Sequence, residues 1–268
     1  MSRKFAAFIA TGVALVVVAG ALLVLALGHE RQPHPTAASS QPAPPPSAGT
    51  PSTTPSGEPT DTPSNNAPPS TPRNPAADPT ASLVKGKNKK VLFFSFDDGP
   101  DPYWTPKVLE TLAKHNAHAT FFELGNMQAA HPGLREQVLA SGNAIGSHSI
   151  SHPQLTAISD AERHRQIFDG PKSTCFRPPY GASNPKVRKD IKDAGMVQVL
   201  WDVDPRDWAR PGVNAIVQNI MNNARNHNII LMHDGGGDRT QTVAALDKAL
   251  TLLAAKGYSF LAMDCKQP

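Results

Sequence analysis

Val91-Leu-Phe-Phe-Ser-Phe-Asp-Asp-Gly-Pro100 is an apolar run that ends at two adjacent carboxylates and a Gly-Pro pair. The apolar part predicts a short buried strand, and Asp-Gly-Pro predicts a turn directly after it. Similar apolar runs alternate with stretches of helical spacing through the rest of the chain. This alternation indicates a parallel sheet with helical crossovers, which could be an open doubly wound sheet or a closed barrel.

Seven strands and six helices are predicted from this pattern. The predicted strands cover residues 91–96, 119–123, 144–147, 174–177, 196–201, 229–232 and 259–263. The predicted helices cover residues 105–115, 134–141, 160–168, 185–194, 213–225 and 243–256.

Polar clusters follow five of the predicted strands. Parallel α/β folds assemble their active sites at the carboxyl ends of the strands, so we expect these clusters to meet at one end of the sheet. The clusters are Asp97-Asp98, His148, Arg177, Asp202 to Asp207, and His233-Asp234.

His148 and His152 are spaced so that both can face one metal ion. A third ligand would complete a catalytic site that keeps an open position for water, and the adjacent Asp97 and Asp98 supply candidates. We expect a division of labour between these carboxylates. One would bind the metal, and the other would serve as the general base toward the water.

The segment Arg177-Pro-Pro-Tyr180 supplies candidates for two further roles, an oxyanion-hole donor and a partner for the base. Neither proline has a backbone N–H, so Tyr180 is the first donor after Arg177 and is held on a stiff backbone, as an oxyanion hole requires. Arg177 is expected to hold the base carboxylate and to keep its pKa low. His233 is the candidate general acid, kept protonated by a carboxylate partner.

These residues resemble the five motifs of the polysaccharide deacetylases (NodB homology domain, carbohydrate esterase family 4). The resemblance covers about residues 91–263 and is carried by five segments in order. They are Ser95-Phe-Asp-Asp-Gly-Pro100, His148-Ser-Ile-Ser-His152, Arg177-Pro-Pro-Tyr180, Asp204-Pro-Arg-Asp-Trp208 and Leu231-Met-His-Asp234. The resemblance implies a distorted (β/α)7 barrel, with its active site at the carboxyl ends of the strands, that removes acetyl groups from a polysaccharide.

The resemblance also implies a role for each motif residue. Asp97 is the base and His233 the acid, held by Arg177 and Asp207 respectively, and the Tyr180 N–H belongs to the oxyanion hole. The implied metal ligands are Asp98, His148 and His152. The implied substrate-binding residues are Trp208, Leu231 and Pro179.

The sequence departs from the family pattern at two places. Ser95 stands where threonine is usual. Only 24 residues separate His152 from Arg177, fewer than is usual for this family. We therefore expect the crossover helix at 160–168 to be truncated and one wall of the substrate groove to be altered.

Two segments precede the predicted catalytic domain at residues 85–268. Residues 1–28 contain an uncharged, mostly apolar run of 23 residues behind Arg3 and Lys4, which is roughly 34 Å as a helix and long enough to cross a bilayer. We expect a signal-anchor with the catalytic domain outside the membrane; a cleaved secretory signal is the alternative. Residues 29–84 hold 15 of the 27 prolines and predict a disordered linker.

The charge distribution argues against nucleic acid as a partner. The chain has a formal net charge of +4, yet residues 91–268 carry 18 basic and 18 acidic side chains. The excess positive charge therefore lies in the first 90 residues, and the chain is neutral from residue 91 onward. The two cysteines, Cys175 and Cys265, allow one intramolecular disulfide in an extracytoplasmic setting.

The sequence predicts a membrane-anchored, metal-dependent deacetylase of cell-wall glycan, acting on N-acetylglucosamine of peptidoglycan. One divalent ion is expected, with Zn²⁺ the first choice and Co²⁺, Mn²⁺ or Ni²⁺ as alternatives. The chain is expected to be a monomer. The alternative functions are a secreted acetylxylan esterase or chitin deacetylase, and a non-catalytic glycan-binding wall protein.

Overall fold

The computed structural model describes residues 82–83 and 90–267. The predicted membrane segment at 1–28 lies outside the described residues, as does the predicted linker at 29–84 apart from residues 82 and 83. None of the helices within the described residues is long and apolar enough to cross a membrane.

Seven parallel strands form the sheet, as the strand–helix alternation predicts. The strands are β1 (Val91–Asp97), β2 (Thr120–Glu123), β3 (Ala144–Ser147), β4 (Cys175–Phe176), β5 (Val197–Gln198), β6 (Ile229–His233) and β7 (Ser259–Phe260). Their order is β5-β4-β3-β2-β1-β6, and β7 pairs with the first two residues of β1. The sheet curls, and a single parallel bridge between Val203 and Ile230 links the chain after β5 to β6. This curled α/β fold is consistent with a distorted (β/α) barrel.

Apolar side chains cover both faces of β1, which explains why its sequence is a continuous apolar run. Phe94 and Phe96 pack in a cluster with residues of the helices outside the sheet. Val91 and Phe93 belong to a second cluster on the inner side, together with Met263. Every residue of β1 is buried, so the strand forms the centre of the core.

Seven α-helices flank the sheet. They are α1 (Trp104–Lys114), α2 (Gly125–Ala130), α3 (Pro132–Ala140), α4 (Asp160–Phe168), α5 (Pro185–Asp193), α6 (Val213–Asn223) and α7 (Thr240–Ala255). Six of them match predicted helices within a few residues. The sequence reading missed α2 because this short helix buries none of its residues and therefore lacks an apolar period.

Three predicted strands are longer than the strands observed. The runs predicted at 174–177, 196–201 and 259–263 contain only two paired residues each. Strand pairing stops after Phe176 in β4 because Arg177 and the residues that follow it form part of the candidate active site. Apolar residues beyond β5 and β7, such as Val199 and Met263, still pack inside the sheet, so the apolar run outlasts the pairing.

A disulfide joins β4 to the segment after β7. Cys175 and Cys265 are 90 residues apart, with their Cα atoms separated by 5.5 Å. Leu83 packs in the same apolar cluster, and its carbonyl accepts a hydrogen bond from the Asp264 N–H at 3.0 Å. The folded part of the chain thus includes a residue that precedes position 85.

We expect the double substitution Cys175→Ala/Cys265→Ala to lower the free energy of unfolding by about 2–4 kcal/mol, because the disulfide closes a long loop and so restricts the unfolded chain. Urea unfolding of the full-length chain measures this change. Reducing the parent protein should give the same loss, and an unchanged unfolding midpoint would contradict a stabilising bond.

Candidate active site

The predicted site residues meet at the carboxyl end of the sheet. Asp97 is the last residue of β1, and the strand register places it opposite His233, the last residue of β6. His148 follows β3 directly, and Arg177 follows β4 directly. The fold therefore brings the separate polar clusters to the same end of the sheet.

Asp98, His148 and His152 form a cluster with metal-ligand geometry. Their potential ligand atoms all lie within 4.8 Å of one another. Asp98 Oδ1 lies 3.4 Å from His152 Nε2 and 3.6 Å from His148 Nε2. This oxygen is buried, and among the described residues no donor forms a hydrogen bond to it. A buried carboxylate oxygen between two imidazole nitrogens fits a divalent metal ion.

His148 is held in the form that a metal ligand requires. Its Nδ1 lies 2.7 Å from the Arg177 carbonyl, which can only accept, so Nδ1 carries the proton and Nε2 keeps its lone pair. Burial lowers the pKa of His148 to about 3, so the imidazole is neutral.

His148 and His152 are brought together by a loop whose residues include left-handed (positive φ) backbone conformations, and not by a helix. Ser149 and His152 have φ values of 74° and 63°, and Asp98 has a φ of 74°. Such conformations cost roughly 1–2 kcal/mol for a residue other than glycine, so the surroundings must hold them. The Ser149 hydroxyl accepts a hydrogen bond from the His152 N–H at 3.0 Å.

Helix α4 supports the loop at residues 148–152, which carries the two histidines. The side-chain oxygen of Gln166 accepts hydrogen bonds from the N–H groups of Ile150 and Ser151, each at 3.0 Å. The helix spans Asp160–Phe168, the residues that the sequence predicts. Sequence reasoning missed the role of Gln166 because a lone glutamine in a helix carries no positional signal.

Asp97 and Arg177 form a buried ion pair beside the cluster. Arg177 Nη1 donates to Asp97 Oδ1 at 2.6 Å, and the guanidinium lies 4.0 Å from the centre of the Phe122 ring. The other Asp97 oxygen lies 3.6 Å from His148 Nε2. Burial raises the pKa of Asp97 more than Arg177 lowers it. The expectation that Arg177 keeps this pKa low is therefore wrong, because the loss of hydration outweighs one close cation.

Tyr180 lies beside the metal-ligand cluster. It belongs to a short 3-10 turn, Pro179–Gly181, and has a φ of 60°. Its ring meets the His152 ring edge-on, with 4.5 Å between the centres, and is 56% exposed. Pro179 is buried directly before it, so the stiff segment after Arg177 runs along the edge of the site.

Asp207 and His233 form a second pair, in which Asp207 is buried and His233 is partly buried. Asp207 Oδ1 lies 2.9 Å from His233 Nδ1, and Oδ2 accepts from the His233 backbone N–H at 3.0 Å. The Thr242 hydroxyl also donates to Oδ2, at 2.7 Å. Burial alone would lower the pKa of His233, but the Asp207 carboxylate outweighs it and raises the pKa to about 9. Thr242 was missed because a threonine in α7 has no motif around it.

Two predicted substrate-binding residues lie near this pair. Trp208 is next to Asp207 in sequence, and Leu231 is on the same strand as His233. Trp208 follows Asp207 in a 3-10 turn, and the Arg206 guanidinium lies 5.2 Å from its ring centre. Leu231 is on β6, two residues before His233, and is 4% exposed.

Comparisons with known proteins agree with this geometry. The family model for polysaccharide deacetylases matches residues 84–199. A peptidoglycan-N-acetylglucosamine deacetylase from Bacillus cereus is 45% identical over an alignment of 187 residues, and the match covers 66% of this chain and 88% of the relative. A chitooligosaccharide deacetylase from Sinorhizobium fredii is 35% identical and covers 65% of this chain and 90% of its own length.

A solved structure has the same fold. The peptidoglycan deacetylase of Bacillus subtilis superposes with a TM-score of 0.59 at 37% identity, covering 65% of this chain and 88% of that structure. The metal-ligand cluster, the two ion pairs and these likenesses agree with one another. The chain belongs to the polysaccharide deacetylase family.

Proposed function

We propose that this chain is a metal-dependent hydrolase that removes N-acetyl groups from cell-wall glycan, with N-acetylglucosamine of peptidoglycan as its substrate. The observation that carries the proposal is the placement of the Asp98, His148 and His152 cluster beside a buried Asp97–Arg177 pair and a partly buried Asp207–His233 pair. The similarity to peptidoglycan deacetylases supports the choice of substrate.

The three ligands would hold one divalent ion, with Zn²⁺ the first choice and Co²⁺, Mn²⁺ or Ni²⁺ as alternatives. When bound, such an ion polarises a carbonyl oxygen and makes a nearby water more acidic. The protein contributes a neutral His148, an oriented Asp98 and a largely buried setting in which these charges act strongly.

Asp97 is proposed as the general base. Arg177 holds one of its oxygens, which leaves the oxygen that faces the ligand cluster to take a proton from the attacking water. Burial raises the pKa of this carboxyl, which brings it nearer the pH at which the enzyme works and strengthens the ionised form as a base. Asp97 and Asp98 thus take different roles although they are neighbours in sequence.

His233 is proposed as the general acid. Water adds to the acetyl carbon, and the bond from that carbon to the sugar nitrogen breaks. The departing nitrogen takes a proton from His233, which the Asp207 carboxylate keeps charged. The products are acetate and a free amine on the sugar.

The other residues that match the family's motifs are proposed to bind the substrate or the reacting oxygen. The Tyr180 N–H would donate to the oxygen that becomes negative during attack, because it lies on a stiff segment next to His152. Trp208 and Pro179 would contact the sugar chain, and Leu231 would contact the acetyl methyl group.

The first 84 residues are proposed to place this domain at the cell surface. The apolar run after Arg3 and Lys4 would anchor the chain in the membrane, and the proline-rich linker at 29–84 would let the domain reach the wall. N-terminal sequencing of the mature chain distinguishes an anchor from a cleaved signal.

The choice of substrate is tested by acetate release from peptidoglycan, chitooligosaccharides and acetylxylan. We expect the fastest release from peptidoglycan, with one new amine for each acetate. Faster release from chitooligosaccharides, or acetate from xylan without new amines, would favour the alternative enzymes. Binding to all glycans without release of acetate, equally with and without metal, would indicate a non-catalytic wall protein.

Asp97→Asn should reduce acetate release by about 10²–10⁴-fold while bound metal is retained, because the variant lacks the base but keeps the three ligands. The matched variant Asp98→Asn should lose the metal itself. Metal content is measured by elemental analysis and turnover by acetate release. Unchanged turnover in Asp97→Asn would overturn the assignment of the base.

Asp207→Asn should move the alkaline limb of the pH–rate profile to lower pH. His233 works only while protonated and has a pKa raised to about 9, so activity should fall as the pH rises through that region. Removing the Asp207 charge lowers this pKa, and the fall then begins earlier. Asp247→Asn is the control, because it affects a surface pair with His115. An alkaline limb that does not move in Asp207→Asn would exclude His233 as the acid.

A further inference from the structure

Arg239 is a buried cation that belongs to none of the five motifs. It immediately precedes α7 and is 5% exposed. Its Nε donates to the carbonyl of Gly235 at 2.7 Å, and its Nη2 donates to the carbonyl of Gly236 at 2.9 Å. Burying a guanidinium is unfavourable unless such hydrogen bonds replace its water. Arg239 therefore fastens the loop at residues 234–237, called the glycine loop below, to the start of α7.

The glycine loop packs directly against Asp98. A β-carbon on Gly235 would lie 2.2 Å from the Asp98 carbonyl oxygen and 2.8 Å from the Gly99 nitrogen, so only glycine fits there. A β-carbon on Gly236 would lie 3.0 Å from Asp98 Oδ2. The loop thus contacts both the backbone and the carboxylate of a residue in a left-handed conformation, which needs support from its surroundings.

Asp234 fixes the first residue of the same loop. Its N–H donates to the Asp97 carbonyl at 3.1 Å, and its Oδ2 accepts from the Thr105 hydroxyl at 2.5 Å. The carboxylate lies so near Gly99 that a β-carbon there would be 2.4 Å from it. Asp234 and Arg239 therefore hold the glycine loop from opposite ends, with the Asp98–Gly99 turn packed against it.

We propose that Arg239 is a positioning residue that holds the glycine loop against the Asp98–Gly99 turn and thereby sets the position of the Asp98 carboxylate relative to His148 and His152. Its charge also contributes to lowering the pKa of Asp207. The inference rests on the proposed function only in taking Asp98 as a metal ligand.

The test measures metal affinity separately from turnover in the full-length chain. Apo protein carrying Arg239→Gln is titrated with Co²⁺, and the visible absorption of the bound ion is recorded. We expect the affinity to weaken about 10–100-fold, as when other groups that orient ligands are removed, with an altered Co²⁺ spectrum. Arg210→Gln is the matched control, because it removes an exposed arginine that faces Asp238 next to the same loop. Its affinity and spectrum should match those of the parent.

A second variant tests the same contact without removing a buried charge. Gly236→Ala places a methyl group against Asp98 Oδ2 and should also change the Co²⁺ spectrum, and it decides the question if Arg239→Gln does not fold. Unchanged affinity and spectrum in a folded Arg239→Gln, or in Gly236→Ala where only the second variant folds, would overturn the proposal. Absence of acetate release by the parent would overturn the proposed function, whereas the Co²⁺ titration would still report on Arg239.

Discussion

The site depends on ending β1 between two neighbouring aspartates. Successive side chains of a strand point to opposite faces, so Asp97 and Asp98 could not both face the same site if the strand continued. The chain resolves this by leaving the ladder after Asp97 and giving Asp98 a φ of 74°. That conformation is unfavourable for aspartate, and the packing of Gly99 and Gly235 around the turn holds it in place. The separate roles proposed for the two carboxylates follow from this one break in the strand.

Burial and the neighbouring charged groups together shift the pKa values of the buried carboxylates in different directions. Asp97 and Asp207 are both buried carboxylates next to a cation, yet the pKa of Asp97 is raised and that of Asp207 is lowered. Burial is the largest influence on both groups and raises the pKa of each. At Asp207 it is outweighed by the charge and the side-chain hydrogen bond of His233, together with the Thr242 hydroxyl and the Arg239 charge. At Asp97 the charge and hydrogen bond of Arg177 do not outweigh it. The same type of side chain is therefore suited to accept a proton in one place and to stabilise a charged histidine in the other.

The sequence predicts the parts of the fold that have a local signal. All seven strands were predicted because their cores are apolar. Gly195 and Gly257 follow α5 and α7 with positive φ, a conformation that suits glycine at the end of a helix. Helix α2 was missed because it buries none of its residues. The ends of β5 and β7 were placed too far along the chain because apolar residues continue to pack after strand pairing stops, whereas β4 ends at Arg177, which belongs to the site. Gln166 and Arg239 could not be found in advance, since their roles depend on contacts with distant backbone groups and not on neighbours in sequence.

The register of the sheet fixes the proposed base and acid independently of the turns beside them. Asp97 and His233 are paired positions on adjacent parallel strands, so the spacing between the proposed base and acid is fixed by backbone hydrogen bonds and by the strand separation of about 4.8 Å. Tyr180 and Trp208, by contrast, lie on turns outside the strands. Their positions therefore do not depend on the register of β1 and β6. A change in either turn can alter the surface beside the site while the strand ends keep Asp97 opposite His233.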